Sequence, residues 1–176
     1  MRKVCTVGVV ILLFLLTACG SGTKRDPVAL TPKDAVELAT TWAETGNTLL
    51  AGGTYEEGEY KTFTHNGIEY RFLAEHVNTK KKLKSELHKY VTKKKAKRFM
   101  KENGFIKHDG ILAQPVVEIS SVLQWEIATA SVLKSKKKKM TFELTVPIGE
   151  TRTAETFHVT YKYVKKAGWR IDAFTE

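Results

Sequence analysis

Cysteine is nearly absent from this chain of 176 residues, which contains only Cys5 and Cys19, both close to the N-terminus. Every residue after Cys19 therefore belongs to a segment without a thiol. This excludes disulfide bonds, thiolate catalysis and cysteine-ligated metals from the larger part of the sequence. A fold built there must be held together by packing and hydrogen bonds alone.

The sequence also lacks the short motifs that mark common enzyme and metal sites. It has no Gly-x-Ser-x-Gly elbow, no His-Glu-x-x-His, no phosphate-binding glycine loop and no EF-hand loop. Glu56, Glu57 and Glu59 cluster in a glycine-flanked loop, but the absence of a nearby histidine or nucleophile disfavours glycosidase-type chemistry. No second histidine or cysteine stands at helical metal spacing from any of the five histidines, which are His65, His76, His88, His108 and His158. We expect a non-enzyme without metal or cofactor.

Long apolar runs are rare too, with one exception at the N-terminus. Arg2 and Lys3 precede an apolar run at residues 4–16, which small residues separate from Cys19. This is the layout of a secretory signal peptide. The position of Cys19 resembles a lipobox, in which the cysteine is acylated and the chain is cut just before it. A transmembrane helix is disfavoured because it needs ~20 apolar residues, and an ordinary signal peptide would make the position of Cys19 a coincidence.

These features predict the domain organisation and the location. We expect a signal peptide at residues 1–18, a lipidated tether at 19–30 and a single domain at 31–176. Removal of 18 residues from 176 leaves 158, and the loss of two positive charges lowers the formal charge from +10 to +8. The lipid on Cys19 would hold the protein at the outer face of the cytoplasmic membrane, in an envelope of the Gram-positive type.

Capping residues and glycines predict three helices in the first two thirds of the domain. Thr31, followed by Pro32, begins a helix that Gly52-Gly53 ends. Thr79 and Thr92 cap two shorter helices, the second of which ends at Gly104. The apolar residues expected to face the core are Ala35, Leu38, Ala39, Trp42, Leu49, Leu50, Leu83, Leu87, Val91, Ala96, Phe99 and Met100.

Turn residues and alternating apolar residues predict strands. Asn66-Gly67 and Asp109-Gly110 each lie between two such runs, which is typical of β-hairpins. From residue 122 onward the chain is predicted to be strands, at 125–133, 140–146, around 157–163 and at 169–174. The element order indicates an α+β fold in which N-terminal helices pack on a mostly antiparallel, curved sheet. Cystatin and nuclear-transport-factor-like folds offer an analogy of element order only.

Basic residues crowd two places in the domain. The first is the pair of middle helices, with Lys80, Lys81, Lys82, Lys84, Lys89, Lys93, Lys94, Lys95, Lys97, Arg98 and Lys101; the second is Lys134 with Lys136, Lys137, Lys138 and Lys139. The export signal argues against nucleic acid as a partner. Two interpretations remain open: a solvated helix face, or attraction to anionic wall polymer or lipid headgroups.

Short segments distributed over residues 31–176 resemble a known family. They are 53–55, 58–63, 70–73, 78–80, 110–115, 123–125, 146–150 and 168–170, and include Gly-Glu-Tyr-Lys-Thr-Phe, Leu-Ala-Gln-Pro and Val-Pro-Ile-Gly-Glu. In order and spacing they are similar to the IseA-type DL-endopeptidase inhibitors. The resemblance implies a secreted inhibitor of papain-like cysteine peptidases, which cut D-glutamyl–diaminopimelate bonds in the peptidoglycan of Gram-positive bacteria.

The resemblance also implies an inhibitory loop that enters the catalytic cleft of the peptidase. We place it at residues 112–122, after the second hairpin turn. Where the family has an acidic, glycine-containing stretch, this chain has an apolar one. The candidate loop residues are Leu112, Ala113, Gln114, Pro115, Val116, Val117, Glu118, Ile119, Ser120 and Ser121. The alternative is a buried strand connection in which Val116, Val117 and Ile119 are core residues.

Two other functions fit the sequence. One is a ligand-binding or envelope-structural lipoprotein with a concave sheet lined by Trp125, Trp169 and tyrosines, for which a deep pocket would be required. The other is adhesion to anionic wall polymer through the lysines, which high salt would abolish.

Overall fold

The computed structural model describes residues 29–118 and 121–175. The predicted signal peptide, Cys19, most of the tether, and Ile119 and Ser120 lie outside them. The helices and strands are α1 Pro32–Leu50, β1 Thr62–His65, β2 Ile68–Phe72, α2 Lys80–Leu87, α3 Lys93–Glu102, β3 Ile106–His108, β4 Ile111–Pro115, β5 Thr129–Lys136, β6 Lys139–Pro147, β7 Ala154–Val164 and β8 Gly168–Thr175. Within this part of the chain, no helix is both long and apolar enough to cross a membrane.

The caps predicted for the three helices are confirmed. The Thr31 side chain accepts a hydrogen bond from the backbone N–H of Asp34 (3.1 Å), and the Asp34 carboxylate accepts one from the N–H of Thr31 (3.1 Å). This reciprocal pair satisfies two N–H groups that a helix start leaves without partners, and its hydrogen bonds lower the pKa of Asp34. Thr79 and Thr92 accept from Lys82 and Lys95 in the same way.

Both hairpins form at the predicted turns. Asn66 and Gly67 have φ of 50° and 77°, and Asp109 and Gly110 have 47° and 86°. Two successive residues with positive φ give the turn whose twist matches that of the flanking strands. The hairpins pair with each other through β2 and β4, so the first sheet has the order β1-β2-β4-β3 and is antiparallel throughout.

The remaining strands form a second antiparallel sheet, a meander in the order β5-β6-β7-β8. Register shifts at Val132/Lys134 and Thr160/Tyr161 mark bulges, which bend a sheet. The α+β class with helices on curved antiparallel strands is confirmed, although the strands divide into two sheets where one was expected. The strand predicted at 125–133 begins later, because Trp125–Ile127 forms a 3₁₀ turn whose Trp125 carbonyl accepts from the Thr40 hydroxyl of α1 (3.0 Å).

One hydrophobic core lies between α1, the two shorter helices and the second sheet. It runs from Leu30, at the end of the predicted tether, to Ile171 on β8. The buried hydroxyl of Tyr161 on β7 donates to the carbonyl of Ala35 on α1 (2.6 Å). The described residues thus contain a hydrophobic core of their own, which is what a domain needs in order to fold independently.

The connection between α2 and α3 covers the edge of the second sheet. Ile171 on β8 donates to the carbonyl of Tyr90 (3.0 Å), and its own carbonyl accepts from the N–H of Thr92 (2.9 Å). Val91 and Ile171 form a parallel bridge. The start of α3 is thereby fixed against β8.

Candidate functional site

The first four candidate loop residues lie in a strand. Leu112, Ala113, Gln114 and Pro115 belong to β4, which is hydrogen-bonded to β2 on one side and β3 on the other. Leu112, Ala113 and Gln114 are 1%, 0% and 1% exposed. A buried central strand cannot enter the cleft of another protein, so these residues form the base from which the loop leaves.

The next residues are exposed. Val116 and Val117 are 36% and 48% exposed, and Glu118 and Ser121 are exposed as well. Val122, at the far end, is 65% exposed. The alternative of a buried connection is therefore wrong for Val116 and Val117; Ile119 and Ser120 lie outside the described residues. We call residues 116–122 the inter-sheet segment, because they join β4 of the first sheet to the elements of the second.

Both ends of the inter-sheet segment are held by backbone hydrogen bonds. The N–H of Val116 donates to the carbonyl of Glu69 on β2 (2.9 Å). At the other end, the carbonyl of Val122 accepts from the N–H of Gly149 (2.6 Å), and Leu123 forms an antiparallel bridge with Ile148. The segment thus has one fixed end on each sheet, with exposed valines near both ends.

A buried arginine fixes the first end further. Arg71 on β2 is 8% exposed and lies opposite Gln114 in the sheet. Its Nη2 donates to the carbonyl of Val117 (3.0 Å), and its Nη1 donates to the carbonyl of Ala51 at the end of α1 (3.1 Å). The positive charge also suits the C-terminal end of a helix. Gln114 joins the same contact by donating to the carbonyl of Leu50.

The described residues thus place exposed valines at two points where the backbone is hydrogen-bonded to the fold, and comparison with known proteins shows to which family the chain belongs. The model of the IseA DL-endopeptidase inhibitor family matches residues 28–176. The chain belongs to this family. It is also 26% identical over 113 residues to the protein named "Uncharacterized protein YoeB" of Bacillus subtilis (strain 168), covering 64% of this chain and 62% of that protein. The chain therefore matches less than two thirds of that relative's length.

The carboxylate of Glu59 has a structural role in this IseA-family chain. It accepts hydrogen bonds from the N–H of Glu56 (2.8 Å) and from the N–H of Glu75. The first of these is the main cause of the lowered pKa of Glu59. Hydrogen bonds to the charged form of a carboxyl group favour that form. Through them, the Glu59 side chain joins its own loop to the 3₁₀ turn at Glu75–Val77.

Two of the histidines contact aromatic or acidic side chains. His108 stacks on Phe63 with ring centroids 4.0 Å apart, and His158 lies 3.4 Å from the carboxylate of Glu143 on the second sheet. Among residues 29–118 and 121–175, no group of three or more His, Cys, Asp or Glu side chains could hold a metal ion.

The tryptophans suggested to line a ligand pocket are separated and packed. The Trp125 ring contacts Phe157 and Phe174, with centroids 4.9 and 5.5 Å away. The Trp169 ring packs edge-on against Tyr163 at 5.7 Å. Trp169 borders a cavity of about 460 Å³ that Trp125 does not line. This cavity is therefore not a pocket lined by both rings.

Sequence reasoning missed Arg71 as a site residue, although it lies in one of the segments that carry the family resemblance. Its only signal is position: a charged residue between the aromatic residues Tyr70 and Phe72 in a predicted strand. Such an arginine needs buried acceptors. The sequence does not show that one of them is the carbonyl of Val117.

Proposed function

We propose that this protein is a non-catalytic inhibitor of a cell-wall cysteine DL-endopeptidase and that the inter-sheet segment occupies the active-site cleft of that enzyme. Membership of the inhibitor family supplies the class of partner. The observation that carries the site is that the side chains of Val116, Val117 and Val122 are exposed although a backbone group of each is hydrogen-bonded to another part of the fold. Exposed apolar side chains that form one patch are typical of an interaction site.

The fixed ends of the segment explain how it could inhibit a peptidase without taking part in a chemical reaction. Its ends are held by Glu69 and Arg71 on one sheet and by Ile148 and Gly149 on the other. Residues whose backbone is already held in this way lose little conformational entropy on binding. On binding, the valine side chains leave water and contact the walls of the cleft. Each would contribute up to about 2 kcal/mol of binding free energy when it is fully buried. Substrate peptide is excluded because the segment fills the space it needs.

The apolar character of the segment predicts the kind of cleft it fits. Glu118 is its only charged residue, and valines stand on both sides. A cleft lined by apolar side chains would bury the valines and leave Glu118 at the rim, where a charge costs little. We infer that the target peptidase has such walls beside its catalytic cysteine.

The second part of the proposal concerns location. Lipidation of Cys19 after removal of residues 1–18 would place the domain at the outer face of the cytoplasmic membrane, on a tether of about ten residues. Newly exported peptidases pass this surface. The lipid would therefore restrict inhibition to the innermost part of the wall.

The test replaces the exposed valines and compares two variants with matched exposure. Val116→Ser/Val117→Ser/Val122→Ser removes the apolar contacts, whereas Val132→Ser/Leu133→Ser changes side chains on β5 that are 47% and 45% exposed. Peptidoglycan hydrolysis by a cysteine-type wall endopeptidase is followed with increasing amounts of the domain, residues 24–176. We expect the triple variant to inhibit at least about tenfold more weakly, equal to ~1.4 kcal/mol, and the β5 variant to match the wild type.

Urea unfolding provides the control for folding, since exposed valines contribute little to stability. Unchanged inhibition by the triple variant would refute the role of the segment. If the wild-type domain inhibits none of a panel of such peptidases, the inhibitor function itself is wrong for this chain.

A further inference from the structure

A concave site that is separate from the inter-sheet segment lies at the start of α3, on the edge of the second sheet. A cavity of about 770 Å³ is bordered by the α2–α3 connection and by β7 and β8, and its polar lining includes His88, Lys93, Lys94, Lys162, Arg170 and Asp172. This volume is in the range of sites that hold small molecules. No residue of the inter-sheet segment lines it.

The lining is strongly cationic. Lys93, Lys94, Lys162 and Arg170 contribute four positive charges, and Asp172 is the one acid among the lining residues. The carboxylate of Asp172 accepts a hydrogen bond from the hydroxyl of Thr92 (2.7 Å). In residues 29–118 and 121–175, no ion pair engages Lys93, Lys94 or Lys162. The cavity therefore has an excess of positive charge that the protein does not neutralise.

Lysines at the start of a helix are unfavourable for the stability of the fold. The first turn of α3 has three lysines, Lys93, Lys94 and Lys95, and no acid. The N-terminal end of a helix is already positive, and cations there cost a few tenths of a kcal/mol each. The positive potential is also felt by His88, whose pKa is lowered by burial and then by Lys93 and Lys84. The first turn of α2 has the same composition, so it is the cavity that distinguishes the start of α3.

Backbone donors and a fixed arginine complete the lining. A helix leaves its first N–H groups without intrahelical acceptors, and Thr92 caps only that of Lys95. Arg170 is held by donation from Nε to the carbonyl of His88 (3.0 Å) and from Nη1 to that of Trp169 (2.7 Å). Lysines, a positioned guanidinium and a helix start are the groups that recognise phosphate oxygens.

We propose that this cavity binds a phosphodiester anion, such as the repeating unit of a polyol-phosphate wall polymer or the headgroup of an anionic phospholipid. Phosphodiester binding at this cavity would be a function in addition to inhibition. The cavity and the inter-sheet segment lie near opposite ends of α3. Asn103 and Gly104, at the other end of α3, border a small cavity together with Pro115 and Val117. A helix of ten residues is about 15 Å long. The phosphate would be bound at one end of α3 while the inter-sheet segment is presented beyond the other.

The test uses two variants with the same chemical change on neighbouring helices. Lys93→Gln/Lys94→Gln removes two cavity charges, and Lys80→Gln/Lys81→Gln removes the equivalent pair from the first turn of α2, which does not line the cavity. Glutamine has nearly the helix propensity of lysine, so both variants should fold. Calorimetric titration of the domain, residues 24–176, with poly(glycerol phosphate) gives the affinity, and NMR of the His88 ring reports binding at the cavity.

We expect saturable binding by the wild type, a loss of at least about tenfold in the Lys93/Lys94 variant and less than about twofold in the Lys80/Lys81 variant. An upward shift of the His88 pKa should accompany binding, because an anion offsets the field of Lys93. Equal losses in the two variants would show diffuse attraction by the lysine-rich helices and overturn the site, as would an absence of binding to every probe.

The source of the phosphodiester is distinguished in parallel titrations. Vesicles of phosphatidylglycerol and of phosphatidylcholine are compared with poly(glycerol phosphate). Binding to the polymer without binding to anionic vesicles assigns the wall polymer, and the reverse assigns the lipid headgroup. Binding to both, sensitive in each case to Lys93→Gln/Lys94→Gln, supports recognition of the shared group. None of these measurements contains a peptidase, so they succeed or fail independently of the inhibitor function.

Discussion

At the scale of single residues, Arg71 connects the fold to the proposed inhibitory segment. Its guanidinium joins the carbonyl of Ala51, at the end of α1, to the carbonyl of Val117. Because Arg71 is 8% exposed, replacement by an apolar residue removes a buried donor that both carbonyls share. The same change removes the support of the segment, so stability and inhibition should be lost together.

Arg71→Met tests this connection. We expect the free energy of unfolding to fall by about 2 kcal/mol, the range for hydrogen bonds to a charged donor, and inhibition to weaken even where the variant is fully folded. Arg71→Lys keeps the positive charge but lacks the two guanidinium nitrogens that donate to the two carbonyls. Its stability and inhibitory strength should therefore be closer to those of the methionine variant than to those of the wild type. Urea titrations and the hydrolysis assay measure both effects. A methionine variant of wild-type stability and inhibitory strength would contradict the role given to Arg71.

At the scale of elements, the parts that could be predicted are those with local causes. Thr31 caps α1 through a residue three positions away, and Asn66-Gly67 turns the chain by its own conformational preference. The division into two sheets was not predictable, because the pairing of Arg71 with Gln114 joins residues far apart in the sequence. For the same reason the candidate loop began too early: the burial of Leu112 and Gln114 depends on β2.

Tyr161 ties β7 to α1 and makes that contact sensitive to high pH. Its hydroxyl donates to the carbonyl of Ala35 and must be neutral to do so, and burial raises the pKa of Tyr161. In the unfolded chain a tyrosine loses its proton near about pH 10. The folded state therefore holds this proton to higher pH than the unfolded state, and the free energy of unfolding falls as pH rises above that value.

Tyr161→Phe should remove part of this dependence. At neutral pH we expect a loss of about 1 kcal/mol for the missing hydrogen bond, and above about pH 10 a shallower decline than in the wild type. Tyr60→Phe, at a side chain that is 51% exposed, is the matched control and should follow the wild-type curve. Urea titrations between neutral pH and the alkaline range give the slopes. Parallel curves for the wild type and Tyr161→Phe would show that this hydroxyl does not titrate with unfolding.

At the scale of the whole molecule, the two proposed contacts and the proposed lipid anchor belong to different places along one chain. The cation-lined cavity lies where α3 meets β8, and the inter-sheet segment leaves β4 near the other end of α3. The proposed lipid site, Cys19, precedes the core by the short stretch ending at Leu30. A domain held in this way could be attached at one side and present its valines at another. Binding of phosphate would then orient the inhibitor rather than block it.

A single substitution at Cys19 tests the proposed lipid anchor. Cys19→Ala should prevent incorporation of labelled fatty acid and move the protein out of the washed membrane fraction, whereas Cys5→Ala, within the predicted signal peptide, should do neither. The purified domain, residues 24–176, should inhibit a peptidase in solution within about twofold of the lipidated protein in detergent, since the core and the inter-sheet segment both lie after residue 29. In cells, however, Cys19→Ala should protect the wall less well, because the protein is no longer concentrated where peptidases emerge. Wild-type protein that carries no fatty acid would refute the anchor while leaving the inhibitory segment to be judged by its own variants.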